Sequence, residues 1–120
     1  MRVFKNTWFT RFANREGITD AELRETVNRL EAGHVDADLG GGVYKARIAR
    51  PGEGKSGGYR VIVFFRSEER TFYQYGFSKS NRGNVEQKEL RLYKKMAKTK
   101  LAMSEKELTD AVNTGELIEI

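Results

Sequence analysis

The chain has 120 residues, of which 32% are charged and 38% apolar, and it carries a net charge of +5. The length predicts a single domain over 1–120 with one real core, and the basic balance, with a sequence pI near 9.6, suits a polyanion or an acidic partner. With no cysteine and one histidine, a disulfide framework is excluded and zinc chemistry is disfavoured. No apolar run approaches the ~20 residues of a membrane span. The start, MRVFKNTWF, lacks the apolar stretch of a signal peptide. The expectation is a soluble cytoplasmic protein that holds no metal or small-molecule cofactor.

Arg2–Lys5 alternates and suits a first strand. Thr7–Arg15 carries Trp8, Phe9 and Phe12 at helical spacing, and Gly17 is placed to end that helix. Aromatics so spaced serve a core more often than a base-stacking surface. Thr19 to Glu22 reads as a capping box that opens a second helix at about Asp20, with Leu23, Val27 and Leu30 as its buried stripe and Gly33 as its stop. The lone His34 follows, beside Val35, Asp36 and Asp38. It reads as a surface histidine in a connecting loop, with a general base as the alternative.

The stretch VYKARIARPGEGKSGGYRVIVFFR, 43–66, predicts a hairpin with a glycine-rich tip. Lys45 and Arg47 are two apart and share one face, while Tyr44, Ala46 and Ile48 turn to the core. Arg60 opens the second arm, and Lys55 sits at the tip. Such cations suit a phosphate. They suit a solvated strand face as well.

Two phosphate-loop patterns in the tip fail on context. Gly52, Gly54 and Gly57 match a dinucleotide fingerprint, and Gly54-Lys55-Ser56 matches the end of a P-loop. Both motifs need a following helix, and here a strand follows.

Thr71–Lys79 predicts the next strand, with Thr71, Tyr73, Tyr75, Phe77 and Lys79 on one face. Asn84 to Gln87 reads as a capping box for a helix to about Leu101, whose apolar side is Leu92, Tyr93 and Met96. Its other sides carry Lys88, Lys94, Lys95, Lys98 and Lys100. Ser104 to Glu107 caps a last helix ended by Gly115, and Leu117–Ile120 suits a final strand. The sum is an α+β fold: a small twisted antiparallel sheet, N-terminal helices packed on one face, and a C-terminal helix.

The segments LGGGVYKARIARPGEGKSGGYRVIVFF (39–65) and YGFSKSNRGNV (75–85), with the terminal GELIEI, resemble the RelE/ParE superfamily of type II toxin–antitoxin toxins. The closest likeness is to the RelE-like, HigB-type mRNA interferases, and it covers nearly the whole chain. The resemblance implies a fold similar to small microbial ribonucleases. It implies a ribosome-dependent endoribonuclease that cuts mRNA in the A site, contacts ribosomal RNA and inhibits translation. The implied second partner is a cognate antitoxin, which in this family can carry a helix-turn-helix.

By motif, Lys45 and Arg47 match the family's paired basic residues, Arg60 the arginine of its GYR step, and Lys79 the basic position at the end of the last strand. Phe77 lies beside that position and Arg82 just beyond it. Two departures stand out. Ser80 replaces an arginine found in some members, and Tyr93 is only a loose match for their C-terminal tyrosine.

The implied chemistry is attack of an RNA 2′-oxygen on the adjacent phosphorus, independent of metal. Arg60 would be the main phosphate clamp, Arg47 its assistant, and Lys45 or Lys79 the proton-transfer partner, with no histidine or carboxylate placed to take that role. A lysine does this near neutral pH only where crowding and desolvation favour its neutral form. Tyr59 or Phe77 would stack on a base, and Lys55 and Arg82 would bind RNA or ribosome. A ParE-like topoisomerase poison and a non-catalytic nucleic-acid-binding module are the rival readings.

Overall fold

Local signals set the helices. The computed structural model describes residues 1–50, 54–78 and 84–120, with the side chains of 50 and 54–57 excepted. Asn6 caps helix α1 (Thr7–Glu16) by accepting from the Phe9 N–H at 2.6 Å, and Gly17 ends it in the left-handed region. Thr19 and Glu22 form the reciprocal capping box of α2 (Asp20–Glu31), as Ser104 and Glu107 do for α4 (Glu105–Asn113). Helix α3 (Gln87–Leu101) starts later than expected: its cap is Glu86 with Glu89, not Asn84 with Gln87.

The strands are β1 (Arg2–Asn6), β2 (Ala37–Gly40), β3 (Val43–Arg50), β4 (Gly54–Arg66), β5 (Arg70–Ser78) and β6 (Leu117–Glu119). Among the described residues they form one sheet in the order β2-β3-β4-β5-β1-β6. The sheet is mixed rather than wholly antiparallel, because β1 lies parallel to β5. Val3 and Phe4 bury on opposite faces, as suits an inner strand covered on both sides. Strand β4 also begins earlier than its aromatic run suggests, since pairing with β3 continues to Arg50 opposite Gly54.

Helices cover both faces. Phe9, Phe12, Leu23, Val27 and Leu30 of α1 and α2 pack on Ala46, Ile48, Val61 and Val63. Tyr93, Ala97, Leu101 and Leu108 of α3 and α4 pack on Val43, Ile62, Phe64 and Phe72. Leu92, expected on the buried stripe of α3, is exposed, because the helix turns Ala97 and Leu101 to the sheet instead.

An irregularity in β5 decides which side chains meet. Ile62 pairs with Tyr75 and Val63 with Tyr73, so Gln74 is an extra residue. Such a bulge inverts the facing of everything beyond it. Tyr73 therefore packs with α1 and α2, while Tyr75 packs against the α3-side core and stacks on Trp8 at 4.4 Å, and the single-face alternation expected for Tyr73, Tyr75 and Phe77 does not hold. Gly76 turns to α1, where an added Cβ would meet the Phe12 ring at 2.4 Å.

Candidate functional site

Strands β3 and β4 place Arg47 directly opposite Arg60, and Lys45 opposite Ile62. Lys45, Arg47, Arg60 and Ile62 thus share the face on which Val43 and Phe64 support α3. Toward Arg47 and Arg60 the apolar floor of that face gives way to a basic end. The bulge brings Phe77 to the same place: it is the β5 partner of Arg60. Phe77 is buried, with its ring 6.2 Å from that of Tyr75.

Like charges directly opposite on two strands repel. Asp36 answers this. Its Oδ1 accepts from Arg47 Nε at 2.6 Å, and its Oδ2 lies 3.3 Å from Lys45 Nζ and 3.8 Å from Arg60 Nε. Three cations therefore converge on one carboxylate, in surroundings that leave the Asp36 side chain 9% and the Arg60 side chain 5% exposed. Arg47 is the open member, at 45%. Burial pushes the Asp36 carboxyl up, but the hydrogen bonds from Arg47 and Lys45 outweigh it and hold the group below its ordinary value.

The backbone fixes that carboxylate. The Asp36 N–H donates to the Lys45 carbonyl at 2.8 Å. Arg29, on the last turn of α2, donates to the Thr26 hydroxyl at 3.0 Å and to the Arg47 carbonyl at 3.1 Å, which ties the helix end to β3. Between them runs a groove of about 650 Å³, lined by Arg29, His34, Asp36 and Arg47 among others.

The structure thus gathers Lys45, Arg47, Arg60 and Phe77. It also supplies a carboxylate where none was expected. Asp36 lies in an irregular loop with no periodic pattern, and its partners come from strands distant in sequence, so sequence spacing does not place it at the cations. Tyr59 does not join the group. As the neighbour of Arg60 it points to the opposite face, is buried in an edge contact with Phe12, and donates its hydroxyl to Glu16 at 2.9 Å. It lines a cavity of about 340 Å³ with Trp8, Phe12 and Phe77. Tyr93, the loose match, packs against Phe64 in the α3 core. Lys79, Arg82 and the Lys55 side chain lie outside the described residues. His34 is exposed at the groove. Lys88, Lys94, Lys95 and Lys98 of α3 are exposed as well.

Among the described residues, no three His, Cys, Asp or Glu side chains form a cluster that could hold a metal ion, and no helix is long and apolar enough to cross a membrane.

Fold and cluster together define a small α+β protein with convergent cations on its central strands. A family model described as RelE toxin of the RelE / RelB toxin-antitoxin system matches residues 1–120. The chain belongs to the RelE toxin family: it is a toxin of a toxin–antitoxin system, and a cognate antitoxin is its implied partner.

Proposed function

We propose that this toxin is a ribosome-dependent mRNA endoribonuclease of the HigB type, a single domain over 1–120, which inhibits translation and is neutralised by its cognate antitoxin. The observation that carries the reading is the convergence of Arg47, Lys45 and Arg60 on one carboxylate at 2.6, 3.3 and 3.8 Å. Donors that focus on a carboxylate have the charge and geometry to hold a phosphate.

In the reaction the 2′-oxygen loses its proton and bonds to the adjacent phosphorus. The phosphorus–5′-oxygen bond breaks, and that oxygen gains a proton, leaving a cyclic phosphate and a 5′-hydroxyl. Charge grows on the non-bridging oxygens, and Arg60 with Arg47 stabilises it more in the transition state than in the ground state. Lys45 or Lys79 serves proton transfer, Phe77 stacks on a base, and Lys55, Arg82 and the lysines of α3 contact RNA or ribosome through salt-sensitive phosphate contacts. A site with weak proton-transfer groups suits an enzyme whose substrate is oriented by the ribosome.

Primer extension on a defined mRNA, with and without ribosomes, tests this with wild type and Arg60→Ala. The expected result is cuts that require ribosomes and vanish in a folded Arg60→Ala protein. Cuts on free RNA would make it a general ribonuclease. No cuts in either case would favour a topoisomerase poison or a binding module.

A further inference from the structure

We propose that Asp36 is a built-in occupant of the phosphate seat: its carboxylate holds the cation cluster together and must be displaced when an RNA phosphate binds. The proposal rests on the reading of Lys45, Arg47 and Arg60 as that seat.

The donors are the argument. Arg47 Nε, Lys45 Nζ and Arg60 Nε are the groups that would bind a phosphate, and all three face Asp36 at 2.6–3.8 Å. A phosphate that uses the same donors would come within a few ångströms of the carboxylate, two anions in a poorly solvated corner. That repulsion amounts to kcal/mol even at a protein-like dielectric, so the two cannot share the seat.

Arg47 and Arg60 stand directly opposed, and the carboxylate that both face offsets their repulsion. Asp36 therefore keeps the cluster assembled while it weakens the cluster for any ligand that does not bring enough binding energy from elsewhere. Free RNA brings little. RNA held on a ribosome brings its orientation already fixed.

Displacement has a destination. The Asp36 backbone is anchored to β3 through the Lys45 carbonyl at 2.8 Å, so the movement is a side-chain rotation. The groove of about 650 Å³ beside it, where Arg29 and His34 line the wall, has room for the turned carboxylate and a cation to meet it.

A fluorescent single-stranded oligodeoxynucleotide, which lacks the 2′-hydroxyl and cannot be cut, is the probe. Its affinity is read by anisotropy at fixed salt for wild type, Asp36→Asn, Asp36→Glu, Arg60→Gln and the double variant Asp36→Asn/Arg60→Gln. We expect Asp36→Asn to bind about tenfold more tightly, the equivalent of ~1.4 kcal/mol. Asp36→Glu should show no such gain, and Arg60→Gln should cancel it. Cleavage of free RNA by Asp36→Asn should rise in parallel.

Unchanged or weaker binding by Asp36→Asn, with Arg60→Gln still weakening it, would overturn the occupant while the seat stands. Binding indifferent to Arg60→Gln would overturn the seat itself. Tighter binding with lost cleavage on ribosomes would make Asp36 a proton-transfer group and overturn the occupant as stated. For a case in which Asp36→Asn does not fold, the wild type carries the test: the ¹³Cγ resonance of Asp36 should move as the oligonucleotide saturates, and a stationary resonance would refute displacement.

Discussion

Arg47 and Arg60 face each other across two strands, yet their surroundings differ. The Arg60 side chain is 5% exposed and that of Arg47 45%. Removing a cation from a buried pair leaves polar groups without water to replace it, while a half-exposed cation exchanges its partner for solvent. Arg60→Gln should therefore lower stability by about 2 kcal/mol more than Arg47→Gln, as read by urea unfolding. The reverse order would mean that the exposed arm bears the cluster. The spacing of Lys45 and Arg47 made their shared face legible from the strand period alone. The burial of Arg60 was not legible, since it depends on what crosses the strand from the loop at Asp36. Nor was the burial of Tyr59, expected as a base-stacking residue: it follows from the seating of α1, whose Phe12 and Glu16 meet its ring and hydroxyl.

Asn6 joins two elements that carry the site. Its Oδ1 accepts from the Phe9 N–H at 2.6 Å, capping α1, and its Nδ2 donates to the Gln74 carbonyl at 3.0 Å, holding the bulge that turns Phe77 toward Arg60. Asn6→Ala removes both bonds and should cost about 1–2 kcal/mol. Asn6→Asp keeps an acceptor, favoured by the helix dipole, but has no donor for Gln74, so its cost should be smaller, about 1 kcal/mol. Chemical denaturation of the three proteins separates the two bonds, and equal losses would place the whole effect on the bulge. Elements with local chemistry were readable in advance: the capping boxes at Thr19 and Ser104, the left-handed Gly17, the hairpin arms. The bulge at Gln74, the parallel register of β1 and the short β2 were not, because each is decided by a partner strand distant in the chain.

Across the whole molecule, carboxylates act as ties between elements. The Glu68 N–H and the Ser67 hydroxyl donate to Glu31, joining α2 to the β4–β5 turn, and they lower its carboxyl below the ordinary range. Arg2 does the same for Glu119 across β1 and β6, and Ser104 for Glu107 at the cap of α4. Asp36 completes the set at the cation cluster. All four are depressed in the folded state, so near their titration the unfolded chain binds more protons. Their contribution is present in full above the ordinary carboxylate values, about pH 4, and is lost as pH falls through the lower folded values. Thermal melts followed by circular dichroism should thus show a melting temperature nearly level from pH 7 to pH 5 and a steep fall below about pH 4. Asp36→Asn sharpens the test. At neutral pH it removes the carboxylate charge that Arg47, Lys45 and Arg60 share and should melt lower than wild type. In acid the wild-type carboxyl is itself protonated, so the two curves should converge. Curves that stay parallel to the acid limit would mean that the Asp36 charge contributes nothing to folding, and that the cluster is held together by its strands alone.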